Sequence, residues 1–382
     1  MSSQSKSTFF ATCAPGLEAV LHKEIADLRF AKVERQVGGV RFDGSDKDMI
    51  RANLWLRTAG RVLKRLTRFE AHGSDPLYRG TKDLPWEQYI KKGGTLRVDA
   101  QTKDSELDHS HFVEQRIKDA VVDRLTELGF PRPVVVGEEA DLRIHAHLYR
   151  NRVTISLDSS GSGLRKRGYR VENGRAPLAE TLAAGMVLAS RWNGKAPMVD
   201  PFCGSGTLLI EAALISCNMA PGRYRKAFGF QSWPSFIPKV WNKMLAEARA
   251  GECPLGKTRI IGYDKNEGHL RQAQANVDSA GFGDKIQLEV ADARTFSPRK
   301  GWNAHVITNP PYGIRVGESE DLEPLYSDFA ECLRDHAVGS RLTMLTQDTL
   351  VDAMDLGPGK QTRLRNGAIE CTLYQVDIKE LA

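Results

Sequence analysis

The chain has 382 residues, of which 41% are hydrophobic and 27% charged, so it is long enough for two or three domains with sizeable cores. No apolar run approaches the ~18 residues of a membrane span, and the first residues lack the apolar core of a secretion signal. We therefore expect a cytoplasmic protein without a membrane partner. Six scattered cysteines without a C-x-x-C pair predict neither a metal site nor a disulfide framework. The formal charge of +6 permits a polyanionic partner without identifying one.

Residues 1–160 alternate short helix-like and strand-like runs, a pattern typical of small α+β modules. Up to residue 70 the patterns predict helices and then strands at Leu17–Leu28, Asp46–Asn53, Val33–Val37, Val40–Asp43 and Val62–Phe69. Beyond residue 70 they predict helices and then strands at Leu84–Ile90, His111–Leu128, Thr95–Ala100, Leu142–His147 and Val153–Leu157. Basic residues in and beside Val62–Phe69 form either an electrostatic face or a solvated strand edge: Arg61, Lys64, Arg65 and Arg68.

Residues 161–176 are rich in glycine, serine and arginine, a composition that predicts a linker between domains. The basic run Arg165, Lys166 and Arg167 has two interpretations. It is either a solvated connector or a set of phosphate contacts for a nucleic acid.

From Pro177 onward, strands alternate with helices, which predicts a mostly parallel sheet covered on both faces. The predicted helices are Leu178–Arg191, Ser205–Ile215 and Glu267–Ala280. The predicted strands are Pro197–Asp200, Arg259–Tyr263, Ile286–Val290 and Ala304–Thr308.

A glycine-containing loop, Asp200-Pro201-Phe202-Cys203-Gly204-Ser205-Gly206-Thr207, joins one of these strands to a helix. Its glycines allow a tight turn and a close approach to a ligand, and the following helix directs N–H groups toward an anion. The loop matches neither the dinucleotide fingerprint nor the phosphate-binding loop of nucleotide triphosphatases. An acidic residue at its start suits an amino group, which S-adenosylmethionine has and a triphosphate lacks.

The next strands also end in residues suited to a nucleoside. Asp264 follows Ile260-Ile261-Gly262-Tyr263, where an acid can bind ribose hydroxyls, and Asp292 follows Val290 and could accept from an adenine amine. Each acid alone is equally consistent with a helix cap. Their occurrence at successive strand ends, the edge where open α/β sheets bind ligands, favours a cofactor site.

The strand His305–Thr308 ends at Asn309-Pro310-Pro311-Tyr312. The Asn309 side-chain oxygen and the Pro310 carbonyl can accept hydrogen bonds from an amine on a planar ring, while Tyr312 stacks on that ring. Taken alone, these four residues fit a proline turn as well as a pocket for the exocyclic amine of a nucleobase. Beside a cofactor site they favour the pocket.

The C-terminal half resembles class I S-adenosylmethionine-dependent methyltransferases of the N-P-P-Y type, and the whole chain resembles the THUMP-containing RNA guanine-N2-methyltransferases, particularly those acting on 23S ribosomal RNA. The motifs that carry this resemblance include Leu157–Gly161, Arg167–Arg170, Ala176–Leu178, Asp200–Thr207, Ala220–Gly222, Phe228–Phe230 and Asn309–Gly313. The resemblance implies an α/β fold: a Rossmann-like class I methyltransferase domain preceded by α+β ferredoxin-like and THUMP domains. It divides the chain into a ferredoxin-like element at 1–70, a THUMP RNA-binding domain at 71–160, a linker at 161–176 and a methyltransferase domain at 177–382.

The resemblance also implies site residues. Asp200, Gly204 and Gly206 would bind the methionine end of S-adenosylmethionine, Asp264 its ribose and Asp292 its adenine. The complete predicted cofactor set is Pro177, Asp200, Pro201, Cys203, Gly204, Gly206, Thr207, Asp264, Asp292, Ala293 and Asn309. The predicted catalytic set is Asn309, Pro310, Pro311 and Tyr312. Cys203 is expected to pack in the loop rather than act as a nucleophile, because the methyl acceptor is the amine itself.

RNA is the expected partner, specifically 23S ribosomal RNA or an assembly intermediate of the large ribosomal subunit. The predicted RNA-binding residues are Arg165, Lys166, Arg167, Arg223, Arg225 and Lys226, the last three in an aromatic and basic insertion that runs to Trp241. That insertion could instead pack its aromatics onto the domain. The alternatives are a transfer RNA guanine-N2 enzyme, an N6-adenine enzyme and a non-catalytic assembly factor. Relatives that carry a second methyltransferase domain extend beyond the length of this chain, so we expect that second activity to be absent.

Overall fold

The computed structural model describes residues 6–137, 139–171, 177–299, 301–312 and 322–380. These residues form two compact units, and neither is a single stretch of sequence. The first unit comprises the described residues of Met1–Thr12, His22–Leu164 and Arg225–Ala246. The second comprises those of Cys13–Leu21, Arg165–Tyr224 and Glu247–Ala382.

The first unit is built on an eight-stranded sheet in the order β2-β3-β1-β4-β8-β7-β5-β6. Its strands are β1 Ser7–Thr12, β2 Ala31–Gln36, β3 Gly39–Gly44, β4 Arg61–Glu70, β5 Thr95–Lys103, β6 Val134–Val135, β7 Leu142–Tyr149 and β8 Arg152–Asp158. Most neighbours are antiparallel, while β5 runs parallel to both β6 and β7. Strand β4 pairs with β1 on one side and β8 on the other, so its basic residues do not lie on a strand edge.

Four helices lie in the sequence of this first region: α1 Glu18–Asp27, α2 Asp46–Trp55, α3 Ser74–Lys82 and α4 Ser110–Glu127. Ser45 and Asp48 form a reciprocal capping box that starts α2. Helix α4 buries Val113, Ile117 and Val121 on one face, one turn apart. Phe112 and Leu128, which fit the same sequence period, are 47% and 50% exposed.

The sequence patterns miss α3 and replace it with a helix over Leu84–Ile90. Only the short 3-10 turn Trp86–Gln88 forms there. Gly80 weakens the helical pattern of α3, but a side chain at this position would clash with Phe69, since a Cβ would lie 2.5 Å from the Phe69 ring. Packing against Phe69 therefore requires glycine at position 80, although glycine weakens the helical pattern of the sequence.

The second unit contains a seven-stranded sheet in the order β11-β10-β9-β12-β13-β15-β14. Its strands are β9 Met198–Asp200, β10 Ile260–Asp264, β11 Ile286–Val290, β12 His305–Thr308, β13 Arg341–Thr346, β14 Lys360–Asn366 and β15 Ile369–Asp377. Strands β9 to β13 are parallel, and β15 is antiparallel to both β13 and β14. The predicted parallel α/β arrangement is confirmed. Its antiparallel end was not assigned from sequence.

The described residues that follow form six further helices: α5 Glu180–Ala189, α6 Thr207–Ser216, α7 Pro238–Ala250, α8 Glu267–Ser279, α9 Glu323–His336 and α10 Asp348–Asp352. Helices α5 and α6 are buried almost all round, as expected for helices that pack on a sheet and on each other. Among the described residues, no helix is both long and apolar enough to cross a membrane.

Residues 225–246 belong to the first unit, and their aromatic side chains pack inside it. Phe228, Phe230 and Trp233 are each at most 3% exposed, and the Phe230 N–H donates to the Ser159 carbonyl at 3.0 Å. Phe228 and Phe230 stack with ring centroids 5.4 Å apart. These aromatics therefore pack the insertion onto the first unit, whereas the packing interpretation offered above placed it on the methyltransferase domain.

The prediction that Arg167 contacts RNA is wrong, because its side chain is buried in the second unit. It is 2% exposed and pairs with the fully buried Glu211, Nε to Oε1 at 3.3 Å, and the Tyr169 hydroxyl donates to the same carboxylate at 3.1 Å. Burial opposes the charge of the guanidinium, but Glu211 outweighs it and the pKa of Arg167 is raised. A side chain in this position cannot reach an external phosphate.

The domain limits at residues 70, 160 and 176 stay predictions. The first lies within the region of the eight-stranded sheet, and residues 172–176 of the proposed linker lie outside the described residues.

Replacing Arg167 with methionine should lower the free energy of unfolding by about 3–5 kcal/mol, because the Glu211 carboxylate is left buried and unpaired. Arg165→Met is the matched control: Arg165 is exposed two residues away, and its replacement should change stability by no more than about 0.5 kcal/mol. Urea unfolding followed by circular dichroism measures both. Arg167→Met/Glu211→Leu should recover part of the loss. An Arg167→Met protein of normal stability that binds RNA poorly would restore Arg167 as an RNA contact.

Candidate functional site

Polar side chains from four neighbouring parallel strands meet at one edge of the seven-stranded sheet. Asp200 ends β9, Asp264 ends β10 and Thr308 ends β12, with Asn309 directly after it; Asp292 lies two residues beyond the end of β11. Because β9 to β12 are parallel, their carboxyl ends share this edge, and the order β11-β10-β9-β12 makes them neighbours. The structure brings together the strand ends that the sequence singled out.

Asp200 is the buried centre of this edge. Its side chain is 1% exposed, and Oδ1 accepts from the Thr308 hydroxyl at 2.6 Å and from the Phe202 N–H at 3.1 Å. Burial raises the pKa of Asp200 to about 7, Asp264 adds to the rise, and the two hydrogen bonds oppose it. The bond to Thr308 fixes the end of β9 to the end of β12, a role for Thr308 that the sequence patterns did not indicate.

The loop after Asp200 turns with left-handed backbone at Gly204 and Gly206, whose φ angles are 52° and 79°. Its middle is held to β10, because the Gly204 N–H donates to Asp264 Oδ2 at 3.0 Å. Space around Gly204 is open: a Cβ built there would meet nothing within 4 Å. The loop can therefore present its backbone to a ligand.

Arg170 is the main side chain that anchors this loop, a role that the sequence patterns did not indicate. Its guanidinium donates to Ser205 Oγ at 3.0 Å and Thr207 Oγ1 at 2.9 Å, and it pairs with Glu180 at 3.0 Å. Asn276 of α8 adds a bond to the Ser205 carbonyl at 3.1 Å. The signal for Arg170 was its place in the Arg167–Arg170 motif, but its partners lie too far along the chain to be inferred locally.

The predicted adenine contact, Asp292, has a cationic neighbour of its own. Arg294 Nη2 lies 2.6 Å from Asp292 Oδ2, and this hydrogen bond lowers the pKa of Asp292 to about 2. Asp292 also caps the short turn Ala293–Thr295, in which Ala293 is buried. The carboxylate is charged at neutral pH and only partly exposed, so an amine donor would have to share it with Arg294.

Other members of the predicted cofactor set lie around the loop with different exposures. Pro201, Cys203 and Thr207 are buried, and Pro177 is exposed. Burial raises the pKa of the Cys203 thiol well above its usual range, so the thiol stays neutral at physiological pH. This fits the packing role expected for Cys203.

The corner that follows β12, Asn309-Pro310-Pro311-Tyr312, begins with a buried acceptor, the Asn309 side-chain oxygen. This Oδ1 is inaccessible to solvent and receives no hydrogen bond from any residue that the structure describes. The Pro310 carbonyl next to it also lacks a hydrogen-bond donor among those residues. An unpaired buried acceptor is costly, which makes this corner suited to a ligand that carries N–H donors.

Side chains from α9 and from β14 hold the rest of the corner. The Tyr326 hydroxyl donates to the Pro311 carbonyl at 3.1 Å and lies 2.8 Å from Thr346 Oγ1. Asn366 donates to the Tyr312 hydroxyl at 2.9 Å, and burial raises the pKa of Tyr312. These two contacts fix the Tyr312 ring, while Gly313, the last residue of the motif, lies outside the described residues.

The predicted RNA-binding cations of the insertion also have internal partners. Arg223 forms an ion pair with Glu252, and Arg225 donates to the carbonyls of Ser160, Ser162 and Gly163 at 2.6–3.1 Å. These bonds account for both side chains within their own units. The exposed cations of the prediction are Arg165, Lys166 and Lys226, which remain predictions.

Across the described part of the chain, no group of three or more histidine, cysteine or carboxylate side chains is arranged to hold a metal ion.

Replacing Asp200 with asparagine should remove a pH dependence of stability. The pKa of Asp200 is about 7 in the folded chain and near 3.9 when unfolded, so it favours folding most below about pH 4 and loses that contribution as pH rises toward 7. The free energy of unfolding of the native protein minus that of Asp200→Asn should therefore fall over this window, by at most about 1.4 kcal/mol per pH unit. Urea titrations at a series of pH values measure the difference. A difference that stays flat or rises would contradict the assignment.

Three domain profiles match successive parts of the chain. They are an RlmL ferredoxin-like domain over residues 8–63, a THUMP domain over 72–158 and an RMKL-like methyltransferase domain over 167–375. They confirm the predicted fold, a class I methyltransferase domain preceded by ferredoxin-like and THUMP domains.

Relatives with curated names match nearly the whole chain. Proteins named ribosomal RNA large subunit methyltransferase K/L from Syntrophotalea carbinolica and Methylococcus capsulatus are 40% and 39% identical over 97% of this chain. The chain covers 54% and 51% of their sequences, so it spans about half the length of these relatives. The Synechocystis protein slr0064 is 34% identical, and the match covers 97% of this chain and 96% of that one.

Solved structures match over the full length as well. SMU.472 complexed with SAH has a TM-score of 0.88 and 30% identity, covering 99% of both chains. A Listeria monocytogenes protein described as a predicted N6-adenine-specific DNA methylase has a TM-score of 0.85 and 33% identity, covering 97% of this chain and 96% of that one. With the methyltransferase profile and the strand-end site, these matches show that the chain belongs to the RMKL-like methyltransferase family.

Proposed function

We propose that the protein transfers a methyl group from S-adenosylmethionine to the exocyclic N2 of a guanine in 23S ribosomal RNA. The observation that carries the proposal is the buried Oδ1 of Asn309, which has no hydrogen-bond partner among the described residues and lies at the same sheet edge as the glycine loop. Such an acceptor needs an N–H donor, and the exocyclic amine of a nucleobase supplies two.

The corner addresses the chemical difficulty of this substrate. The lone pair of an arylamine is delocalised into the ring, so the nitrogen is a weak nucleophile. When Asn309 Oδ1 and the Pro310 carbonyl accept hydrogen bonds from its two N–H groups, the lone pair is directed out of the ring plane. Alignment of the nitrogen with the methyl group lowers the barrier further. Tyr312, fixed by Asn366, supplies an aromatic face for the base. Asn309 does not ionise, so no base in this corner takes the proton, which leaves to solvent.

The cofactor site fits S-adenosylmethionine. Open space at Gly204 allows the backbone to approach a ligand, and Asp264 is positioned by the loop that would cover the ribose. The structural relative SMU.472 contains SAH, the product left when S-adenosylmethionine loses its methyl group. When bound, this cofactor supplies an electrophilic methyl group. The chain's own residues hold it beside Asn309 and keep the acceptor amine oriented.

The choice of substrate rests on the relatives and on the THUMP domain. Relatives named ribosomal RNA large subunit methyltransferase K/L support ribosomal RNA, and the THUMP profile supports an RNA-binding unit ahead of the catalytic one. Guanine rests on the family resemblance, because the Asn309 corner would accept hydrogen bonds from the amine of adenine as well. The target base must be unpaired or flipped to enter, at a cost of a few kcal/mol if it begins stacked.

An N6-adenine activity is the competing proposal, favoured by the Listeria relative, which is described as a predicted N6-adenine-specific DNA methylase. Tritiated S-adenosylmethionine, incubated with the protein and total RNA from a strain that lacks it, separates the two. Nucleoside analysis should give 2-methylguanosine in a 23S fragment. Label in N6-methyladenosine would support the competitor, and label confined to small RNA would move the substrate to transfer RNA. Tight RNA binding without any label would indicate a non-catalytic assembly factor.

Asn309→Ala should lower methyl transfer by at least about a hundredfold, because it removes an acceptor aimed at the reacting amine. SAH affinity should fall far less, since the other ten residues of the predicted cofactor set are unchanged. Single-turnover transfer and calorimetric SAH binding measure the two effects.

The matched control is Asn193→Ala. Asn193 is an exposed asparagine in the loop that precedes β9, at the opposite end of that strand from Asp200, so transfer should be normal. An Asn309→Ala enzyme with full activity would remove the Asn309 corner from the mechanism.

A further inference from the structure

The eight-stranded sheet of the first unit carries a group of cations on one face. A β-bulge in β4 places two of them, Arg65 and Arg68, on that same face. Strands β4 and β8 pair Arg65 with Ser156 and Arg68 with Thr154, and the register shifts between Arg65 and Thr67. Without the shift, residues three apart on a strand would point to opposite faces. The extra residue brings Arg65 and Arg68 onto the same face.

The pairing continues this face across four strands. Thr154 lies opposite His147, which lies opposite Gln101; in the next row Arg152 lies opposite Tyr149, which lies opposite Lys103. Rows two residues apart along a strand share a face. We call the following set the cationic sheet face: Arg65, Arg68, Lys103, His147, Tyr149 and Arg152.

This face is open to solvent along its outer half. Arg68, Lys103, His147 and Arg152 are exposed, and Tyr149 is 39% exposed. The opposite face is covered, because Phe69, which points away from Arg68, packs against Gly80 of α3. An antiparallel sheet with one solvated face is ordinary, so exposure alone identifies no partner.

The positive charge on this face is only partly compensated. Arg65, Arg68 and Lys103 have no carboxylate within ion-pair distance among the residues described, and Arg65 contacts only the Gln36 amide at 3.1 Å and the Phe10 ring at 4.9 Å. Glu70 is the one acid in the two outer rows, 3.5 Å from Arg152. Burial and then Arg68 and Arg41 lower the pKa of Arg65, while burial, Arg65 and Arg68 lower the pKa of His147. Arg65 and Arg68 therefore repel each other, and this repulsion is offset only in part by Glu34 near Arg65 and by Glu70 beside Arg152.

We propose that the cationic sheet face binds single-stranded RNA, with Arg65, Arg68, Lys103 and Arg152 on the phosphates and Tyr149 under a base. This inference rests on the proposed RNA substrate and specifies where that RNA is held. Neighbouring strands are ~4.8 Å apart, so the four strands offer cations along roughly 14 Å, enough to follow several phosphates of an extended strand.

Tyr149 is the reason for choosing a single strand. Its exposed ring stands between Arg152 and Lys103, and Arg150 of the adjoining turn lies 5.1 Å from its centroid. A sheet that presents an aromatic ring among cations suits unstacked bases, whose faces are hidden in a duplex. The pKa of His147 is lowered by burial, Arg65 and Arg68, and its ring adds a second flat surface.

Fluorescence anisotropy with a labelled oligoadenylate of about 12 nucleotides tests the proposal on the full chain. Arg68→Ala should weaken binding and reduce the slope of log affinity against log salt by about 0.7, the value for one lost phosphate contact on a single strand. Tyr149→Leu should weaken binding by about fivefold or more, and Tyr149→Phe should restore it. Affinity for SAH should be unchanged in every variant.

Arg79→Ala is the matched control, since Arg79 is an exposed arginine on α3, the helix that covers the other face. Equal losses for Arg68→Ala and Arg79→Ala would overturn the sheet face while leaving the proposed methyl transfer intact. A hairpin duplex that binds more tightly than the single strand, with the same dependence on Arg68, would overturn the single-strand assignment. A protein that binds neither RNA yet binds SAH would overturn the proposed RNA substrate itself.

Discussion

The hydrogen bond from Thr308 to the buried Asp200 is the contact on which the site depends. It joins the ends of β9 and β12, and so it places the glycine loop and the Asn309 corner at a fixed separation. Since methyl transfer requires close approach and alignment, this separation matters more than any single ligand contact. Gly204 extends the same frame to Asp264 at the end of β10. One short network therefore links three strand ends before any ligand arrives.

The sequence predicts this edge well because each of its signals is local. A β-branched run followed by an acid, a glycine loop or paired prolines can be recognised in a stretch of about ten residues. The parallel topology then brings the ends of these strands together. The β10 and β11 ends were predicted to within one residue on this basis. The family profiles and structures confirm the domain types, while the individual ligand contacts remain predictions.

Predictions failed where a residue's environment depends on distant sequence. Arg167 has the sequence signature of a linker cation, but Glu211, 44 residues further on, makes it a buried partner. Helix α3 was not predicted because it contains Gly80, a glycine that leaves room for the Phe69 ring. Similarly, the bulge between Arg65 and Thr67 cannot be read from an alternating pattern, because its position is set by pairing with β8. Composition and periodicity predict the average exposure of a segment but not the burial of one side chain whose partner is distant in the sequence.

The assignment of residues 225–246 to the first unit has a consequence for how the chain can fold and be divided. Phe228, Phe230 and Trp233 are synthesised after all eight strands of their unit, so the first unit has an incomplete core until the ribosome has passed residue 246. A fragment ending in the 161–176 region would contain every strand of that sheet and still expose the apolar surface that these aromatics cover. Part of the second unit is therefore synthesised before the first unit is complete. A truncation between residues 161 and 176 would not yield a complete first unit.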